Sequence, residues 1–145
     1  MEVYTIGFTR RGARSFFGAL KEHGVRRLVD VRLNNVSQLA GFAKRDDLAF
    51  FLGELCGCEY RHEARLAPSA EVLARYRKGG RDWPEYEVAY RRLLDERDVE
   101  HNLDRSLLEG PAVLLCSEHT ADRCHRRLAA EYLRERWGGF GIVHL

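Results

Sequence analysis

A chain of 145 residues and 16.8 kDa, 45% apolar and 32% charged, is long enough to bury a core without disulfides or a structural metal, and its balance excludes disordered, fibrous and membrane-spanning classes. The 24 basic and 22 acidic residues leave a formal charge of +2, which argues against a protein that coats nucleic acid. Of the 24 cations, 21 are arginine; guanidinium forks suit phosphate or carboxylate, although a GC-rich genome or a heat-adapted source gives the same bias.

The first strand is expected at residues 3–6, directly after Met1 and with no signal-peptide pattern; no apolar run approaches the roughly 18 residues of a membrane span. These features predict a cytoplasmic protein whose cysteines, at 56, 58, 116 and 124, stay reduced and serve as packing, nucleophile or ligand. Ala13, Phe16, Phe17, Leu20 and His23 recur at three- and four-residue steps before Gly24 and predict an amphipathic helix. A strand at 27–32 follows, then a helix at 46–55 closed by Gly57, then a strand at 59–63. From 69 to 108 the pattern is helical: Ser69 caps a helix stopped by Gly79-Gly80, and Asp82-Trp83-Pro84-Glu85 opens another. Ala112–Cys116 reads as the fourth strand, a last helix opens at Thr120 and runs to about Trp137, and Gly141–His144 is the fifth strand. Strands alternating with helices imply parallel crossovers. The expectation is one α/β domain over residues 1–145: a three-layer α/β/α arrangement with a mostly parallel sheet of about five strands. The first strand would be central with the fourth beside it, and a helical insertion would precede the fourth.

Open parallel sheets bind ligands at the carboxyl ends of their strands, so the polar residues that end each strand are the candidates. Cys116 ends the fourth strand and would face the first turn of a helix, whose free N–H groups lower a thiol's pKa and attract anions. Glu118 and His125 supply acid/base groups and Arg126 an anion fork. Cys124 aligns with apolar Leu128 and Tyr132, so packing competes with function there. Asp30 and Arg32 alternate with valines; inside a covered sheet such a pair is either a buried ion pair or part of a site. Gly7 allows close backbone approach to a ligand, Thr9 is placed to cap the next helix, and Lys44 stands in a loop able to close over an anion.

Other constellations fit less well. A phosphatase loop needs a Cys five residues short of an Arg with Gly between, and Cys116 to Arg123 has neither that spacing nor a Gly. Cys116, His119, Cys124 and His125 have metal-ligand types but no finger spacing, and adjacent Cys124 and His125 on a helix rarely reach one ion, so no metal and no cofactor is expected. Cys56-Gly57-Cys58 is not the C-x-x-C of a redox motif and reads as packing. Neither dinucleotide nor P-loop glycine patterns occur.

Taken in order, Thr5-Ile6-Gly7, Leu28-Val29-Asp30-Val31-Arg32, Phe42-Ala43-Lys44, Trp83-Pro84-Glu85-Tyr86, Cys116-Ser117-Glu118, Cys124-His125-Arg126 and the closing Ile142-Val143-His144-Leu145 resemble a bacterial and archaeal family, the domain of unknown function 488. The resemblance spans nearly the whole chain and implies an α/β domain with a polar cluster at these strand ends, with no activity generally assigned. Phe8 stands where the family often has His, so the chain either lacks that group or replaces it, with His62 or His119 as the candidates.

The expected function is an enzyme with Cys116 as nucleophile or redox thiol, Glu118 and His125 as acid/base pair, Cys124 and Asp30 in the catalytic cluster, and Arg32, Lys44, Arg126, Gly7 and Thr9 toward a small anionic, phosphorylated or nucleotide-like molecule. The alternative is a non-catalytic nucleotide or nucleic-acid binding module, with extended nucleic acid disfavoured by the small net charge. No membrane partner is expected, and oligomeric state is open.

Overall fold

The computed structural model describes residues 1–36 and 40–145. Five strands, β1 (Glu2–Gly7), β2 (Arg27–Asp30), β3 (Glu59–His62), β4 (Ala112–Cys116) and β5 (Gly141–His144), form one parallel sheet in the order β3-β2-β4-β1-β5. β4 takes the centre rather than β1, which flanks it as expected of neighbours. The reason is composition: every residue of Ala-Val-Leu-Leu-Cys is buried, so β4 needs cover on both faces and both edges, whereas β1 begins on exposed Glu2 and accepts the edge strand β5. Each fully buried Val or Leu here stabilises the fold by about 1.5–3 kcal/mol relative to exposure.

The period-2 alternation sorts the strands' side chains onto two faces. Ile6, Leu28, Val113 and Leu115 pack with Phe16, Phe17 and Leu20 of α1 (Ala13–Glu22) and Leu48 of α2 (Arg45–Phe51). Val3, Val29, Leu114 and Cys116 pack with Tyr86, Tyr90 and Leu94 of α4 (Trp83–Glu96), Val99 of α5 (Val99–Asn102), and Leu128, Tyr132 and Leu133 of α6 (His125–Trp137). Helices therefore cover both faces, giving three layers. The insertion before β4 comprises α3 (Ala70–Lys78), α4, α5 and the 3₁₀ turns Ala64–Leu66 and Arg105–Leu108. Ser69 and Asp82 cap α3 and α4 as their sequences predict, accepting from the N–H groups of Val72 and Glu85. α3 buries none of its own residues fully and leans on the α4 side of the core through Val72, Leu73 and Tyr76.

Several boundaries differ from expectation. β2 stops at Asp30, although the Val31 N–H still bonds the Leu115 carbonyl, at 3.1 Å. β3 stops at His62, one residue early. Gly12, not Thr9, is the N-cap of α1; Thr9 is exposed and its N–H bonds the Ser117 carbonyl instead. α2 ends in a wider turn over Leu52–Cys56 that Gly57 closes in the left-handed region, φ +58°. The largest difference is α6, which starts at His125 rather than Thr120, leaving a loop between β4 and the helix. Among the described residues no helix is long and apolar enough to cross a membrane.

Candidate active site at the carboxyl ends of the strands

Three neighbouring strands, β2, β4 and β1, deliver Asp30, Cys116 and Gly7 to one rim. The loop after β4 then returns so that His125, the first residue of α6, meets Cys116 with its Nδ1 3.4 Å from the Sγ. Its Nε2 donates to the Val31 carbonyl at 2.6 Å; a carbonyl only accepts, so the proton on Nε2 is settled and Nδ1 faces the thiol. The Tyr90 ring meets the imidazole edge-on at 5.6 Å, and its hydroxyl is tied to the Leu66 carbonyl.

Electrostatics polarise this cluster. A hydrogen bond from the Cys124 thiol, with the charge and hydrogen bond of His125 and the Ser117 N–H, outweighs burial and holds Cys116 well below the ordinary thiol value. Burial opposes the imidazolium of His125, but the Cys116 thiolate and the Val31 carbonyl raise its pKa nonetheless. Burial, and then the Cys116 thiolate it bonds, push Cys124 well above the usual value. Both directions favour the negative charge on Cys116 over Cys124. Cys56 and Cys58 lie elsewhere; burial pushes Cys58 up to about 12, and the Cys56 Sγ meets the Phe17 carbonyl, which fits their expected packing role.

Beside the thiol lies a built arginine. Arg32 and Asp30 are 3% and 0% exposed and paired on one edge, Nε to Oδ1 at 2.9 Å and Nη2 to Oδ2 at 2.8 Å. Tyr60 donates to the same Oδ2, His62 Nε2 meets the Arg32 carbonyl, and the Phe8 ring lies 5.3 Å from the guanidinium carbon. The Arg32 Nη1 is buried and has no hydrogen-bond partner among the described residues. Asp30 and Arg32 are therefore a buried ion pair, and of the two Arg32 lines a cleft.

That cleft encloses about 480 Å³, within the range of small-molecule sites, and Cys116, Cys124, His125, Glu118 and Arg32 all line it. Arg77, Arg81 and Arg123 add three further cations, and Tyr76, Trp83 and Tyr86 an aromatic wall. None of these six is among the site residues expected from the sequence. The three- and four-residue spacing of Trp83, Tyr86 and Tyr90 reads equally as a core stripe. α4 packs such a stripe, with Trp83 and Tyr86 stacked at 5.1 Å.

Four expected anion contacts lie elsewhere. Lys44 is exposed at the start of α2 and does not line the cleft. Arg126 is wholly buried and directed at the chain itself: Nη1 donates to the Glu118 carbonyl at 2.5 Å and to Cys124 Sγ at 3.7 Å, and Nε to Thr5 Oγ1. Thr9 holds the Ser117 carbonyl through its backbone. Gly7 permits a close approach, but of the Glu118 carbonyl: a Cβ there would stand 1.6 Å from that oxygen and 2.6 Å from Arg126 Nη1. Gly7→Ala is accordingly expected to cost about 3 kcal/mol or more, as backbone cannot yield as a side chain does. A urea midpoint within error of the parent protein would refute this. Neither His62 nor His119, whose Nδ1 meets the Thr9 carbonyl, takes a place in the cleft in lieu of a His at position 8.

Among the described residues, the sulfurs of Cys116 and Cys124 and a ring nitrogen of His125 lie within 4.8 Å of one another, a donor set suited to a soft cation. Their convergence corrects the expectation that neighbours 124 and 125 point apart. Cys124 is not helical but an extended N-cap, φ −136° and ψ 136°, so its thiol turns back toward Cys116. His119 is not part of the group.

A family model described as "Domain of unknown function DUF488" matches residues 12–133, and the chain belongs to that family. No curated protein and no solved structure matches it.

Proposed function

We propose that this DUF488 protein is an enzyme in which the Cys116 thiolate reacts with a small anionic substrate held by Arg32. The observation that carries it is Arg32, which lines a cleft shared with the thiol–imidazole pair and whose buried Nη1 has no hydrogen-bond partner among the described residues. An unpaired buried donor costs about 1–3 kcal/mol, more when charged, and a ligand oxyanion would recover that cost. Asp30 fixes the other edge of the guanidinium, so the free edge is pre-oriented before a ligand arrives. Arg77, Arg81 and Arg123 supply further positive charge, which supports a phosphorylated or nucleotide-like substrate over a neutral one.

In this scheme Cys116 attacks as thiolate, and His125 holds the proton near Nδ1 for a leaving group or returns to neutral imidazole as base. Glu118, exposed at the mouth, is the second acid/base candidate. The test compares alkylation of Cys116 by iodoacetate, an anion, and by neutral iodoacetamide. Arg32→Lys retains a cation beside Asp30 but removes the free edge of the fork. The parent protein is expected to favour the anionic reagent, and the variant to lose roughly tenfold or more of that preference. An unchanged ratio would remove Arg32 from substrate binding.

A further inference from the structure

The proposed chemistry leaves Cys124 without a task. Its side chain is 2% exposed, lines the cleft, and is turned by an extended N-cap backbone onto Cys116, the two sulfurs lying within 4.8 Å. The Arg126 guanidinium donates to its sulfur at 3.7 Å. An N-cap cysteine that served packing alone would have no need of a cation beside it or a second thiol in front of it.

We propose that Cys116 and Cys124 form a reversible disulfide, in which a hydroperoxide oxidises Cys116 and Cys124 resolves the product. The proposal rests on Cys116 being the reactive thiolate. In the first step the Cys116 sulfur attacks the terminal peroxide oxygen. An S–O bond forms, the O–O bond breaks, and the departing alkoxide or hydroxide takes the proton of the His125 imidazolium. Sulfur is oxidised by two electrons to the sulfenic acid, and the peroxide is reduced to alcohol or water. In the second step Cys124 gives its proton to the now neutral imidazole and attacks the Cys116 sulfur. The S–S bond forms, the S–O bond breaks, and hydroxide leaves as water with that proton. A small dithiol returns two electrons and restores both thiols. Arg126 favours Cys124 as thiolate in both directions, as nucleophile on closing and as leaving group on opening. While closed, the disulfide removes the nucleophile and protects it from irreversible oxidation.

The experiment treats the full chain, with chelator present, with a slight excess of hydrogen peroxide and reads intact mass and mapped peptides, alongside iodoacetamide labelling of the untreated protein. The expected result is loss of two hydrogens, a cross-linked pair of peptides holding Cys116 and Cys124, and full reversal by dithiothreitol. Cys124→Ser should instead leave a sulfenic acid on Cys116 that dimedone captures. If Cys116 labels readily with iodoacetamide but gains two oxygens from peroxide without a cross-link, the disulfide is refuted while the nucleophile stands. If Cys116 neither labels nor oxidises, both fail.

Discussion

Asp30→Ala is expected to destabilise the fold by about 3–5 kcal/mol, because it strands the buried Arg32 guanidinium without the carboxylate it pairs with. The Tyr60 hydroxyl loses its acceptor in the same change, and no described side chain replaces either contact. Set against the roughly 5–15 kcal/mol that holds most domains together, such a loss is a large share of the total. Replacing both partners, Asp30→Leu with Arg32→Met, should recover most of the deficit, since a well-filled apolar pair incurs no charge burial. Urea midpoints at constant m-value are the measurement. A single-variant loss under about 1 kcal/mol would mean that water reaches Arg32 and that its unsatisfied Nη1 is solvated rather than reserved for a ligand.

The second large effect is kinetic. Parent Cys116 should alkylate with a pH midpoint below the roughly 8.5 of free cysteine, and His125→Gln should move that midpoint upward. Once the midpoint lies above neutrality, every further rise of about one pH unit leaves roughly a tenth of the thiolate at pH 7, so the variant should label at least about tenfold more slowly there. Glutamine keeps a polar contact to the Val31 carbonyl within reach but cannot carry the imidazolium charge. The signs for stability follow from the same pair. Cys116 is lowered in the folded state, so its thiolate contributes fully above the unfolded value and that contribution fades as pH falls through the folded one. His125 is raised, so its contribution is present below the ordinary histidine value and is lost as pH climbs through its folded one. A parent midpoint at or above that of free cysteine would abolish the nucleophile role.

The sheet and its helices were readable because their signals are local. The β-branched runs, the Phe16, Phe17 and Leu20 stripe, and the caps at Ser69 and Asp82 each act within one element. The order of strands was less so: pairing depends on which strand needs cover on both edges, and the uniform burial of β4 appears only once every partner is placed. At the site, Cys116, Cys124, His125, Asp30 and Arg32 were legible as polar residues at strand and helix ends. Their mutual geometry was not. The start of α6 at His125 rather than Thr120 decides where the Cys124 thiol points, and that choice is made by the tertiary contacts of Arg126 and Gly7 with the Glu118 carbonyl. The aromatic wall was hidden because Trp83, Tyr86 and Tyr90 carry the same spacing whether they face a core or a cleft, and on α4 they do both.

The light anchoring of α3 has a consequence for how such a protein diversifies. The groups to which the proposal assigns the reaction stand on the sheet's rim and the first turn of α6. Leu73, Tyr76 and Arg77, by contrast, reach the cleft from a helix that has no fully buried residue of its own. If the proposed chemistry holds, exchanging that one helix would alter which molecules are admitted while leaving the Cys116–His125 pair in place. In design terms it is a replaceable cassette bounded by Ser69 and the glycines at 79 and 80.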